Sequence, residues 1–225
     1  MKKILLLAAM IVSTLSVSAQ NEVGQVSIKP TAGVNFACLT NHSEFNTKIK
    51  AGFVGGIEAE YGISERFGLS AGLLFSMQGC KWDKWPAEYE SPSGVDLNGI
   101  NIDVNLNYLN IPILAKYYIV GGLAIQAGVQ PGIRLSAKES VQYNGVYDGA
   151  KYKERDNVDV KEWVNGFDLS LPVGLSFEYA NVVLDARYNI GLTNVIATRK
   201  IAGLSGKDSS KNSVFMLTLG YKFKI

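Results

Sequence analysis

Ten ionisable residues stand in the same local setting. Lys29, Glu58, Glu60, Lys116, Arg134, Asp168, Glu178, Asp185, Arg187 and Lys222 are each flanked on both sides by an apolar residue or proline. With Lys224 added, acids and bases are nearly matched. If such side chains converge on a narrow interior, isolated charges there are unfavourable and pairing is expected. The chemistry is then an ion-paired plug that fixes strand register and closes the lumen, and a narrow, gated ion pore is the alternative. Other groups suggest less. His42 is the only histidine and is followed by Ser43 and Glu44, a hydrolase-like set. Adjacent residues in a loop do not converge as a triad must, so His42 is read as a solvated side chain. Asp96, Asn98, Asn101, Asp103, Asn105 and Asn107 are rich in oxygen ligands, but their spacing is not that of a calcium loop, and strand alternation explains most of it. Trp82, Trp85 and Tyr89 form a candidate loop surface for a glycan or protein partner. Packing between loops or anchoring at a lipopolysaccharide interface is the plainer reading. Residues 151–156 read as a solvated charge run. No catalytic, cofactor or metal site is assigned.

The elements that carry these residues are strands. Over 167–179 the odd positions are apolar and the even ones Asp, Ser, Pro, Gly or Glu; alternation of that length predicts a strand with one apolar face. After Ala180-Asn181 the parity flips, as a two-residue turn requires. Pairing Tyr179 with Val182 sets Gly174 opposite Arg187 and Ser176 opposite Asp185, so small residues face charged ones and Gly174 reads as room made for the Arg187 side chain. The same pattern predicts strands near 26–39, 50–63, 67–78, 102–117, 123–137 and 213–225, eight in all with the hairpin. In the fourth, apolar residues change from even to odd positions near Asn107-Tyr108, and an inserted residue, a bulge, accounts for the switch. Short turns follow the second, fourth and sixth strands; long connections (40–49, 79–99, 138–166 and 193–212) follow the others, and the longest, 138–166, can continue its two strands beyond the main sheet.

The chain has 225 residues, 47% hydrophobic, 10% aromatic, with 23 glycines and a net charge of +2. Near-balanced charge argues against a nucleic-acid groove. Residues 1–19 read as a signal peptide: Lys2-Lys3, an apolar stretch over 4–12, and Val17-Ser18-Ala19 as the cleavage site. Residues 20–225 are then one exported domain, and no segment is long and apolar enough to span a bilayer as a helix. Cys38 and Cys80 enter an oxidising compartment, where spacing alone decides nothing about a disulfide.

The polar faces hold Gly, Ser, Gln and Asn with few charges, unlike a water-exposed exterior. Small residues suit the crowded lumen of an eight-stranded barrel. Tyr61, Phe67, Tyr117, Tyr179 and Phe223 gather at the short-turn rim, as an interfacial aromatic girdle does. The expected fold is therefore all-β, an eight-stranded antiparallel up-and-down transmembrane barrel with short periplasmic turns and long extracellular loops. Its lumen-facing side chains are those listed at the outset, and its leucines face lipid. Pro30, Pro112, Pro131 and Pro172 fall inside strands, where a closed barrel has no edge to tolerate a missing donor.

The motifs over 106–112, 114–118, 185–194 and 219–223 (LNYLNIP, LAKYY, DARYNIGLTN and LGYKF) resemble the PorT-like outer membrane beta-barrel family of Bacteroidetes. The resemblance covers essentially the whole mature chain. It implies an outer-membrane barrel with both termini in the periplasm; the family's namesake belongs to a protein-secretion apparatus. These motifs mark the barrel and do not transfer the secretion role. Lys224-Ile225 extend past Phe223, where such chains commonly end. The expected protein is a non-enzymatic structural or loop-binding barrel, contacting outer-membrane lipid, lipopolysaccharide and the barrel assembly machinery. A porin-like channel, a secretion component and, last, a lipid-modifying enzyme are the alternatives.

Overall fold

The computed structural model describes residues 22–40, 47–85, 96–147, 150–197 and 210–225. The strands are β1 (Val26–Thr40), β2 (Thr47–Lys48), β3 (Lys50–Gly62), β4 (Phe67–Trp85), β5 (Asp96–Asn110), β6 (Ile113–Val120), β7 (Leu123–Tyr147), β8 (Ala150–Asp159), β9 (Phe167–Tyr179), β10 (Val182–Gly191), β11 (Lys211–Tyr221) and β12 (Phe223–Lys224). Hydrogen bonding runs β1, β3, β4, β5 with β6, β7, β9, β10 and β11, and β11 pairs back onto β1. The ring is closed and has eight staves, because β5 and β6 are one stave interrupted at Pro112 and β12 extends the last. Every pairing between neighbours is antiparallel.

The hairpin of β9 and β10 has the register that its alternation predicts: Tyr179 faces Val182, Ser176 faces Asp185 and Gly174 faces Arg187. Ala180 and Asn181 both take positive φ (48° and 68°), the conformation by which a two-residue turn follows the strand twist. The Gly121-Gly122 turn uses the same region (46° and 82°). Outward positions along the staves are apolar and exposed, among them Ile57, Leu175, Leu184 and Leu219, while Asn35, Glu58, Gln126, Asp185 and Arg187 are buried inside. The chain is apolar outside and polar inside, the reverse of a water-soluble barrel. At the short-turn rim, Phe67 stacks on Tyr117 (4.9 Å between ring centroids) and Tyr221 on Phe223 (4.8 Å).

The prolines neither bulge the staves nor shift them. Pro112 lies in the gap between β5 and β6, and both flanks keep one register against β4. Its carbonyl still accepts from the Gly72 N–H (3.0 Å), and that of Pro131 accepts from Ile111 (2.8 Å). Pro172 falls in a similar gap between β7 and β9, with the same register on either side. Missing donors thus remove rungs and leave the alternation intact.

Three expectations are corrected. First, the strands run farther than the apolar pattern suggests. Residues expected in the connection 79–99 extend β4 to Trp85 and begin β5 at Asp96, while over 138–166 the expected continuation of the flanking strands is present as β7 to Tyr147 and as β8. Outside the apolar zone, strands no longer show an apolar face to lipid, so the alternation that marks them inverts or fades. Second, the fourth stave does not change face. Val104, Leu106, Tyr108, Leu114, Lys116 and Tyr118, all even, are buried in the interior. The bulge is real but lies in the neighbouring strand: Asn107 pairs with Ser136 and Tyr108 with Arg134, leaving Leu135 as the extra residue of β7. Third, Gly174 does not make room for the Arg187 side chain. A Cβ there would meet the Ala186 carbonyl oxygen at 2.2 Å, so the glycine permits backbone approach. Cys38 and Cys80 are both free, on opposite faces of staves that β3 separates.

Candidate functional site

The buried charges come from strands on opposite sides of the ring. Around Glu58 and Asp185, Lys29 Nζ lies 2.7 Å from Glu58 Oε2 and also bonds Asp185. Arg187 holds Glu58 with both terminal nitrogens, one at 2.8 Å, and lies 3.4 Å from Asp185. Gln126 donates to the other Asp185 oxygen at 2.9 Å. A second group surrounds Glu60: Lys116 approaches at 2.7 Å and Lys222 at 3.2 Å, and the Tyr118 hydroxyl donates to the same carboxylate. Lys222 also reaches Glu178 at 2.9 Å. Each group holds two cations and two anions, so the level is neutral. Asp185, Arg187, Lys116 and Glu58 are 0–2% exposed.

Small residues shape this level. A Cβ on Gly72 would lie 2.6 Å from Glu58 Cγ, and one on Gly220 would lie 2.8 Å from Lys29 Cγ. These glycines, one on a stave beside each charged side chain, leave space for the aliphatic stems to fold inward. In a low-dielectric interior a charge survives only when its partners are fixed at this range. The arrangement can cross-brace the staves and obstruct the bore. Among the described residues no cluster of three or more His, Cys, Asp or Glu is set to hold a metal ion.

Eight of the ten charges singled out in the sequence therefore meet, and two do not. Arg134 and Asp168 sit on the long-loop side of this level, in register with Tyr108 and Gly132. Asp168 accepts from Thr193 Oγ1 at 2.9 Å, while the Arg134 Nε and Nη1 atoms are buried without a hydrogen-bond partner. Alternation gives a residue's face but not its height along the bore, and these two are too high to join. Lys224 is also outside, paired with Glu22 at 3.4 Å. Tyr118 is uncharged and lies just past the expected end of the fourth strand at 117, so it is not among the ten; its even spacing from Lys116 is the signal that places it inside.

The candidate loop surface is divided. Trp82 and Trp85 are residues of β4, paired with Ile102 and Ile100 of β5, because tryptophan suits a strand as readily as a loop. Tyr89, like His42, Ser43 and Glu44 and the expected leader at 1–19, lies outside the described residues. Asp103, one of the oxygen-rich run, points outward between Lys81 (3.9 Å) and Arg155 (3.6 Å).

A closed antiparallel ring with an apolar exterior and ion-paired interior defines an integral outer-membrane β-barrel. The chain belongs to the outer membrane protein beta-barrel domain family, whose pattern matches residues 18–197. Among solved structures it is similar to Ail, the attachment invasion locus protein of Yersinia pestis, at 16% identity and TM-score 0.47, covering 90% of this chain and 100% of that one. Neisserial surface protein A gives 15% and 0.43, covering 89% and 97%. OprG from Pseudomonas aeruginosa gives 13% and 0.40, covering 91% and 98%. No curated protein matches.

Proposed function

We propose that this outer-membrane barrel is a structural or scaffold protein whose lumen is sealed and whose extracellular end engages a protein or glycan partner. The observation that supports a sealed lumen is the neutral double cluster around Glu58 and Glu60, formed from side chains almost without solvent exposure. A water-filled conduit needs a polar wall with open space along its axis; here facing walls are joined by hydrogen-bonded charges. Residues 1–19 direct export and are removed, and the mature barrel is inserted by the barrel assembly machinery among lipid and lipopolysaccharide. Nucleic acid is not a partner, and neither a cofactor nor catalysis is part of this reading.

The second reading, a component of a protein-secretion apparatus, draws on the PorT-like motifs over 106–118 and 185–194. A narrow porin-like channel ranks below it because of the plug, and a lipid-modifying enzyme ranks last. Two measurements separate them. Planar-bilayer recording of the refolded barrel is expected to give no stable, large channel; a persistent open conductance refutes the sealed lumen. Co-purification after gentle detergent extraction is expected to yield a barrel with a loop-bound partner, and recovery within a multi-protein secretion complex favours the second reading.

A further inference from the structure

Beyond the ion-paired level, toward the long-loop end, the inner face turns apolar. Leu39, Val104, Leu106 and Ala137 pack there with Cys80 and Val195. Leu39, Val104, Leu106 and Glu139 of three staves line a cavity of about 410 Å³, open to the outside, whose remaining described wall comes from the 160–164 and 195–196 segments. Leu106 and Tyr108, 0% and 1% exposed, lie on β5 on the side of the cavity nearer the charged level.

This wall is held in place before any ligand arrives. Val164 bridges Ile196, and Asn165 donates to the Val195 carbonyl at 2.8 Å, Ala197 to that of Trp163 at 2.9 Å, and Val195 to that of Ser210 at 2.7 Å. Pockets of roughly 300–1,000 Å³ suit small molecules and are mostly apolar with few polar groups. An apolar concavity open to water is poorly hydrated surface, and filling it with hydrocarbon removes that surface from water and restores dispersion contacts. Among the described residues, Glu139 is the one charged side chain on the wall. A carboxylate in apolar surroundings repels an anionic ligand and attracts a cationic one.

We infer that this cavity is a binding site for a small apolar molecule, neutral or cationic, at the long-loop end of the barrel. The site does not depend on the plug, so it holds whether or not the lumen conducts. Its occupant is a single small molecule because the walls converge from three staves and two connecting segments into a concavity. A flat face for a macromolecule has no such convergence.

The test uses the full mature barrel in lipid nanodiscs with labelled valine and leucine methyl groups. Three probes share one apolar body: 4-phenylbutanol, 4-phenylbutylamine and 4-phenylbutyrate. Saturable shifts at the Val104, Leu106 and Val195 methyls are expected, with the amine binding at least about threefold tighter than the carboxylate, and Glu139→Gln removing that preference. Val195→Trp and Ile196→Trp fill the cavity and are each expected to weaken alcohol binding by about tenfold or more, while heat-modifiable gel migration reports the folded barrel. Ile196→Trp, at the mouth, decides if the first variant does not fold, and Glu139→Gln leaves the apolar wall intact if neither does. Shifts that rise linearly with probe, as lipid partitioning gives, overturn the site. So does saturable binding undiminished by both tryptophans, or a carboxylate that binds as tightly as the amine.

Discussion

Arg187→Met is the sharpest perturbation of the plug. Arg187 is 1% exposed and Glu58 2%, and they are joined through both terminal nitrogens. Removing the guanidinium leaves Lys29 as the one cation between Glu58 and Asp185, turning a neutral cluster into one of net charge −1 without access to water. Breaking a buried pair from one side destabilises by about 3–5 kcal/mol. A solvated pair such as Lys161 with Asp159 (3.5 Å, both about half exposed) contributes far less, because water screens it. The double replacement Arg187→Met with Glu58→Met leaves Lys29 matched to Asp185 and is expected to recover most of the loss, since hydrophobic replacement of a buried pair is often neutral or better. Urea unfolding in lipid vesicles, read by tryptophan fluorescence and by heat-modifiable migration, yields the double-mutant cycle. A loss below about 1 kcal/mol in the single variant refutes the electrostatic argument. A double variant less stable than the single one refutes it equally.

Three more outcomes follow from the same packing. Gly72→Val pushes a side chain into Glu58 Cγ and the Ile57 carbonyl, which a Cβ alone would meet at 2.6 and 2.8 Å; a loss of about 1–3 kcal/mol in the same urea assay is expected, and an unchanged midpoint contradicts it. Leu184→Lys, on the apolar exterior, is expected to cost about 2–4 kcal/mol, whereas Val158→Lys on β8 should stay within about 0.5 kcal/mol, because lipid penalises a charge by depth. Equal losses at the two positions argue against the boundary. In the folded barrel Cys80, 0% exposed, should resist maleimide until urea is added, and a non-reducing gel should show no internal crosslink to Cys38.

Much of the ring was legible because alternation is a direct record of which side meets lipid. The 167–192 hairpin reads with its register, since the parity flip at Ala180-Asn181 admits one pairing. The charged level reads as a set of faces, and its internal partnerships do not. Whether Lys29 bonds Glu58, Asp185 or both depends on stave tilt and height, which no single strand encodes. The fourth stave was misread for a related reason. Val104 and Leu106 are apolar and inward, so where the barrel leaves the apolar zone the rule that apolar means outward fails. The extra residue that repairs the face lies in β7 at Leu135, in a stretch whose own pattern gives no sign of it. Arg134 stands one residue before that shift, so its face was legible while its height along the bore was not.

The closure of the ring has a consequence for assembly. Seven of the eight junctions join staves that follow one another along the chain, whereas the last joins β1 to β11 across 188 residues, as between Thr31 and Leu219. Such a contact carries the largest loop-closure entropy and forms late. Lys29 travels on β1, and its partner Asp185 is 156 residues away on β10. Until the seam shuts, Glu58 has Lys29 across the β1–β3 junction but lacks Arg187, and Asp185 has Arg187 on its own stave but lacks Lys29. The final zipping of the sheet therefore joins two separate ion pairs into one network, so an unclosed barrel carries an electrostatic mark of its incompleteness.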